Sequence, residues 1–202
     1  MTHSITLQWV KLGLFDDLIK EKQLRTTLDQ PGVYLWVETI DDVDCVTYVG
    51  KSETSVSARL IDHFRNFIGG RYSIPFYIRS GNSGSAKESW IFDLDKEEVV
   101  RTVVDKDKFI EIIKDGYKYM KSINLYYCIL QKEITSPKLV ERKLLFNIKP
   151  LYTKRGTKTD PDSNLQVVHS GDLAMTELQQ MIENNSLIYK KYKEKNYFKA
   201  VK

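Results

Sequence analysis

The sequence predicts an α+β fold in which a small, three-stranded antiparallel or mixed sheet is flanked by helices. Three observations carry this. Two alternating apolar segments, 33–38 and 45–49, are joined by an acidic turn; a run of strand formers occupies 123–130; and apolar residues recur at helical spacing over 54–68 and again after Pro137. A chain of 202 residues, 42% of them hydrophobic, can bury one sizeable core, so one domain over 1–202 is expected. It divides into an N-terminal helical lead-in at 1–29, a core at 30–153 with an insertion at about 71–122, and a basic C-terminal extension at 154–202.

Leu7, Val10, Leu14 and Leu18 stand close to helical spacing, which predicts one or two short helices over 6–28. Gly32 precedes a strand from Val33 to Glu38, and Asp41-Asp42-Val43-Asp44 turns the chain into a second strand from Cys45 to Val49. Pairing Tyr34 with Tyr48, Trp36 with Val46 and Glu38 with Asp44 puts both tyrosines on one face of the hairpin. Val56, Leu60, Phe64, Phe67 and Ile68 form one stripe of a helix that Thr54 or Ser55 can cap and Gly69-Gly70 ends. Arg59 and His63 lie one turn apart on it, beside the stripe.

The region 71–122 contains a strand-like run at Ile74–Ile78, a Gly/Ser/Asn loop at 80–85 and then a polar helical stretch. Ile123–Leu130 reads as a central strand. Ser136-Pro137 opens a helix with its cap and first-turn proline; the helix bears Glu141 and ends before Pro150. A Gly-, Asp- and Ser-containing link over 156–170 leads to a last helix from Leu173 to about Tyr197, where lysines interleave with Tyr189, Tyr192, Tyr197 and Phe198.

No stretch approaches the roughly 18 to 20 apolar residues that span a bilayer, and the N-terminus lacks the regions of a signal peptide, so a soluble cytoplasmic protein without membrane partners is expected. Cys45 and Cys128 each sit in an apolar run, which suits reduced core thiols; no Cys-x-x-Cys or paired histidine spacing supports structural zinc. The net charge of +4 is modest but unevenly spread. Residues 136–202 carry 13 Lys+Arg against 7 Asp+Glu, and 51–87 carry six against two, which is compatible with a phosphate-facing surface and equally with a mixed solvated one.

The order of strand, strand, helix with arginine, third strand and helix with glutamate resembles that of the GIY-YIG nuclease family. Gly32-Val33-Tyr34 stands where that family has Gly-Ile-Tyr, and Tyr48-Val49-Gly50 where it has Tyr-Ile-Gly. Lys51, Arg59, His63 and Glu141 match the positions of its other functional residues over about 30–70 and 122–153. One departure is visible: the family often has an asparagine after the proline that ends the glutamate helix, and here Lys149-Pro150-Leu151-Tyr152 is followed by Thr153.

The resemblance implies a metal-dependent DNA endonuclease. Hydrolysing a phosphodiester requires a deprotonated oxygen nucleophile, charge stabilisation on the non-bridging oxygens and neutralisation of the departing 3′ oxygen. It assigns Tyr34 the base role, in which a nearby cation such as Lys51 must favour the phenolate or accept a hydrogen-bonding role. Tyr48 is to hold the attacking water or a phosphate oxygen, Arg59 to grip phosphate bidentately, and His63 to orient Tyr34 or donate to phosphate. Glu141 is the metal ligand for Mg2+, or Mn2+ in its place, with phosphate and water completing the octahedron. Lys51, Arg59, Arg65, Arg71, Lys154 and Arg155 are the expected contacts to double-stranded DNA. Each assignment has a bland counterpart: a cross-strand aromatic pair for the tyrosines, a solvated arginine, a structural histidine, and a glutamate paired with Lys138, Arg142 or Lys143.

The absence of a zinc finger, helix-turn-helix or long linker favours a compact, site-specific restriction-type enzyme, with a twofold homodimer as one way to cut both strands. The alternatives are a structure-specific repair, recombination or phage nuclease of the same family, and a non-catalytic DNA-binding module on this scaffold.

Overall fold

A computed structural model describes residues 3–14, 22–68, 106–131, 136–151 and 159–193. The fold is α+β, with one mixed sheet of five strands rather than three. In chain order the elements are β1 (His3–Leu14), α1 (Lys22–Thr27), β2 (Gly32–Ile40), β3 (Val43–Ser52), α2 (Val56–Ile68), α3 (Lys106–Ser122), β4 (Asn124–Ile129), α4 (Pro137–Ile148), β5 (Leu165–Gly171) and α5 (Met175–Lys193). The strands lie in the order β3-β2-β4-β1-β5, with β1 and β5 parallel and the other pairs antiparallel. The strand expected to be central, β4, is the middle one.

Two elements correct the sequence reading. Residues 3–14 form a strand, not a helix: Ile5, Leu7 and Trp9 alternate into the core while Ser4, Thr6 and Gln8 are exposed. That alternation breaks where the pairing with β4 shifts between Lys11 and Gly13, so Leu12 reaches the opposite face and the whole run mimics helical spacing. Among the described residues of the expected lead-in, the six of α1 are the helical ones. The segment 165–171, expected as part of a link, is β5, which pairs with β1 from His3↔Leu165 to Trp9↔Gly171. Its buried Leu165 and His169 alternate with exposed Gln166 and Val168, the pattern of an edge strand.

The other helices follow their signals. Ser55 is the cap of α2, its Oγ accepting from Ala58 N at 3.0 Å, and Ser136 caps α4 by accepting from Lys138 N at 3.3 Å. Such caps are worth about 1 kcal/mol each. Lys149, in the left-handed region at φ 51°, ends α4 with its N–H donating to Leu145 O. In the expected insertion, α3 accounts for 106–122; the strand-like run at 74–78 and the loop at 80–85 lie outside the described residues.

The sheet has a core on each side. One joins Ile5, Leu7, Trp9, Leu35 and Cys128 to α4 and α5; the other joins Tyr34, Trp36 and Leu125 to α2 and α3. Cys45 and Cys128 are buried free thiols. No helix among the described residues is long and apolar enough to cross a membrane.

The hairpin differs from its expected register while keeping its faces. Its turn is only Asp41-Asp42, both left-handed at φ 51° and 64°, so β3 begins at Val43. Ile40 pairs with Val43, Trp36 with Tyr48 and Tyr34 with Gly50, and a bulge lies between Trp36 and Val37. The expected Tyr34–Tyr48 pairing was two residues off. A slip of two preserves the face, so both tyrosines still point to the same side.

Candidate active site

The C-terminal end of β3 and the start of β2 meet the first turns of α2 and α4 at one end of the sheet. Pro31 O accepts from Leu130 N at 3.0 Å, and Gln30 O accepts from Val56 N at 2.9 Å, which fixes α2 to the start of β2. Two glycines make this packing possible. A Cβ on Gly32 would overlap the Cys128 carbonyl oxygen of β4, and one on Gly50 would overlap the Tyr34 ring that lies across it. The two glycines of the family-like triplets therefore have a steric reason independent of chemistry.

Tyr34 is fully buried, and its hydroxyl lies 2.7 Å from His63 Nε2. Arg59 donates to the same hydroxyl oxygen, which directs the phenolic proton at Nε2. His63, 2% exposed, is enclosed edge-on by three rings, with centroids 5.8 Å away for Tyr34, 4.9 Å for Trp36 and 5.5 Å for Tyr48. Burial, reinforced by the Arg59 charge, pushes its imidazole down to about 3, so it is neutral and able to accept. Tyr48 is half-buried, 4.5 Å from the Trp36 ring and 6.2 Å from Tyr34.

Of the two expected states of Tyr34, this environment favours the protonated, hydrogen-bonding one. Burial raises the Tyr34 hydroxyl well above its ordinary range, Tyr48 and Glu141 act in the same direction, and Arg59 only partly opposes them. Arg59, not Lys51, is the cation acting on it. Lys51 instead pairs with Glu53 at 2.6 Å.

Glu141, half-buried in the second turn of α4, comes to the same place from the other side of the sheet. Burial raises its carboxyl above the ordinary range; Lys51, Arg59 and Lys138 oppose that rise and Glu53 adds to it. Of its bland partners, Lys143 is buried and committed to Asp160 at 2.6 Å and to Asp162 O at 2.8 Å. Tyr34, Tyr48, Lys51, Arg59, His63 and Glu141 are thus brought together. Among the described residues no group of three or more His, Cys, Asp or Glu side chains gathers as a metal cage. The donor set suits a hard cation held by one carboxylate, water and substrate oxygens, because a half-buried carboxylate with a raised pKa gains most from a neighbouring positive charge.

Of the other expected DNA contacts, the one among the described residues is not brought into this group. Arg65 is exposed on α2 and pairs with Asp62 at 3.5 Å. Arg71, Lys154, Arg155 and Thr153 lie outside the described residues. In the basic C-terminal region, Lys191 pairs with Asp41 at 2.6 Å. Sequence reasoning missed Trp36 as a wall of the His63 enclosure and Glu53 as the partner of Lys51. Trp36 had a legible signal, since it is two residues from Tyr34 on the same strand face. Comparison with protein-family models, with curated proteins and with solved structures finds no match to this chain.

Proposed function

We propose that this chain is a Mg2+-dependent endonuclease of GIY-YIG type that hydrolyses phosphodiester bonds in double-stranded DNA. The observation that carries the reading is the Tyr34 hydroxyl, held between His63 Nε2 at 2.7 Å and the Arg59 guanidinium within reach of the Glu141 charge. A buried phenol used only for packing needs one hydrogen-bond partner; a neutral histidine and an arginine on one hydroxyl, beside a carboxylate, go beyond that.

In this reading Tyr34 relays a proton rather than standing as a phenolate. Its oxygen takes a proton from the attacking water as its own passes to His63 Nε2; the water oxygen bonds to phosphorus, and the 3′ oxygen leaves with the bonding pair and takes a proton from solvent. Arriving phosphate pairs with Arg59, which removes part of the positive field that holds His63 acidic and makes it a better acceptor. Tyr48, on the open side of the ring cluster, orients the water or a phosphate oxygen. Lys51 leaves Glu53 for the phosphate backbone. Glu141 would hold the dication, whose chemistry is Lewis-acid stabilisation of the non-bridging and leaving oxygens.

One centre cuts one strand, so a twofold pair of chains acting on a palindromic site is the arrangement we favour, in a restriction-type role in the cytoplasm. The test is supercoiled plasmid with Mg2+ and with chelator, cut ends mapped, and branched and nicked DNA run beside it. The parent nicks only with metal. Glu141→Ala binds DNA without cutting, and Tyr34→Phe loses about 100-fold or more in rate. Discrete mapped ends mark the restriction-type role, preference for branched DNA marks the structure-specific one, and metal-independent binding without nicking overturns the enzyme reading. Cutting retained by Glu141→Ala removes that residue as metal ligand.

A further inference from the structure

We propose that Glu38 and Thr47 are positioning residues for the site, acting through the β3 bulge to set the face on which Tyr48 is presented. The inference rests on the nuclease reading for its functional meaning and on hairpin geometry for its substance.

From Ile40↔Val43 the hairpin register runs to Val37↔Val46. Continued without interruption it would place Tyr48 opposite Leu35, on the face that packs against α4 and α5. Instead Trp36 pairs with Tyr48, and Thr47 is the extra residue on β3. That one residue returns Tyr48 to the face of Tyr34 and His63. The bulge is therefore a condition of the ring cluster.

Side chains hold the bulge from both sides. Thr47 Oγ1 donates to Glu38 Oε1 at 2.5 Å, and Tyr119 OH of α3 donates to the same oxygen at 3.0 Å. On the other side, the Val46 carbonyl accepts from Asn185 Nδ2 of α5 at 2.9 Å and from Leu151 N at 3.3 Å. Thr47 is fully buried and Glu38 is 1% exposed. An apolar residue would fill position 38 without desolvating an acid. What the carboxyl adds is an acceptor for Thr47 and Tyr119, and its elevation by burial to about 7 shows what that placement costs.

The full chain is compared as parent, Thr47→Val, Glu38→Leu and Glu38→Gln, reading the proton NMR cross-peak between the Tyr48 and His63 rings, Mg2+-dependent plasmid nicking and DNA affinity. Expected are folded variants in which Thr47→Val and Glu38→Leu weaken the cross-peak and lose up to about 100-fold in kcat at unchanged DNA affinity, the scale of a ~1 Å misplacement. Glu38→Gln, which keeps the acceptor, retains both. An unchanged cross-peak and kcat in Thr47→Val overturns the proposal, as does a Glu38→Gln loss equal to that of Glu38→Leu. If Glu38→Leu fails to fold, Thr47→Val and Glu38→Gln decide alone. If the parent does not nick DNA, the nuclease reading falls while the cross-peak still decides the positioning.

Discussion

Replacing Gly50 by alanine tests whether that glycine serves the Tyr34 ring. Among the described residues the glycines at positive φ are Gly13 and Gly171, so backbone conformation does not demand glycine at position 50. A Cβ at that position would lie 2.5 Å from the Tyr34 hydroxyl oxygen and 2.6 Å from Cε2, with Cζ nearer still. Carbon atoms ordinarily approach to about 3.5–4.0 Å, so roughly 1 Å of movement is required. The ring that must move is fully buried and bonded to His63. Overpacking of this kind costs about 1–3 kcal/mol, and a weakened buried hydrogen bond about 1 more. Gly50→Ala should therefore lose about 2–4 kcal/mol, a fall of roughly 4–16 °C in Tm for a chain of this size. Urea and thermal unfolding measure this, and a double-mutant cycle assigns it. In a Tyr34→Ala background the methyl enters vacated space, so the second substitution should cost almost nothing. Equal costs in both backgrounds, or a loss under about 0.5 kcal/mol in the parent, would refute the steric account.

Three further outcomes are expected. Glu141→Gln should raise Tm at pH 7 while abolishing cutting, because burial and Glu53 disfavour its ionised form; a lower Tm would contradict the strain assigned to that carboxylate. The stability of the folded chain should depend on pH with two opposite signs. His63 and His169, held by burial at about 3 and about 4, contribute fully above their unfolded value of about 6.5, and that contribution is lost as pH falls below it. Glu38, held at about 7, contributes fully below its unfolded value of 4.5, and that contribution is lost as pH rises to 7. Glu38→Gln should thus gain on the parent by an amount growing from near zero at pH 4.5 to about 3 kcal/mol at pH 8, measured by urea unfolding; a pH-independent difference would count against it. Asp42→Gly, which relieves a left-handed L residue in a two-residue turn, should stabilise by about 0.5 kcal/mol after the glycine entropy cost, and calorimetry showing destabilisation would exclude that turn geometry.

What the sequence makes legible is local. Ser55, Ser136 and Pro137 mark helix starts whose physics lies within a few residues, and the alternation of Tyr34 and Trp36 assigns a face whatever the register. The register was misread because Asp41-Asp42 lacks the glycine that usually announces a two-residue turn, and because the bulge depends on Glu38 and Tyr119, 81 residues apart. β1 and β5 were missed for the same reason at larger scale. β5 pairs with β1, which itself lies between β5 and β4, and neither segment contains the evidence for its partners. The candidate site was more legible than the sheet because its members carry chemical identities as well as spacing. The protonation of Tyr34 was not legible, since burial is set by helices distant in sequence.

The parallel pairing of β1 with β5 also orders the assembly of the chain in time. The hairpin, α2 and the Tyr34–His63 contact involve residues made early and near one another, whereas Trp9 finds His169, which accepts its indole N–H at 2.9 Å, only across a separation of 160 positions. During synthesis the first strand emerges long before its parallel neighbour exists. That border of the sheet is closed by a late-made strand capturing an early one, a long-range closure whose entropic cost falls outside the ring cluster.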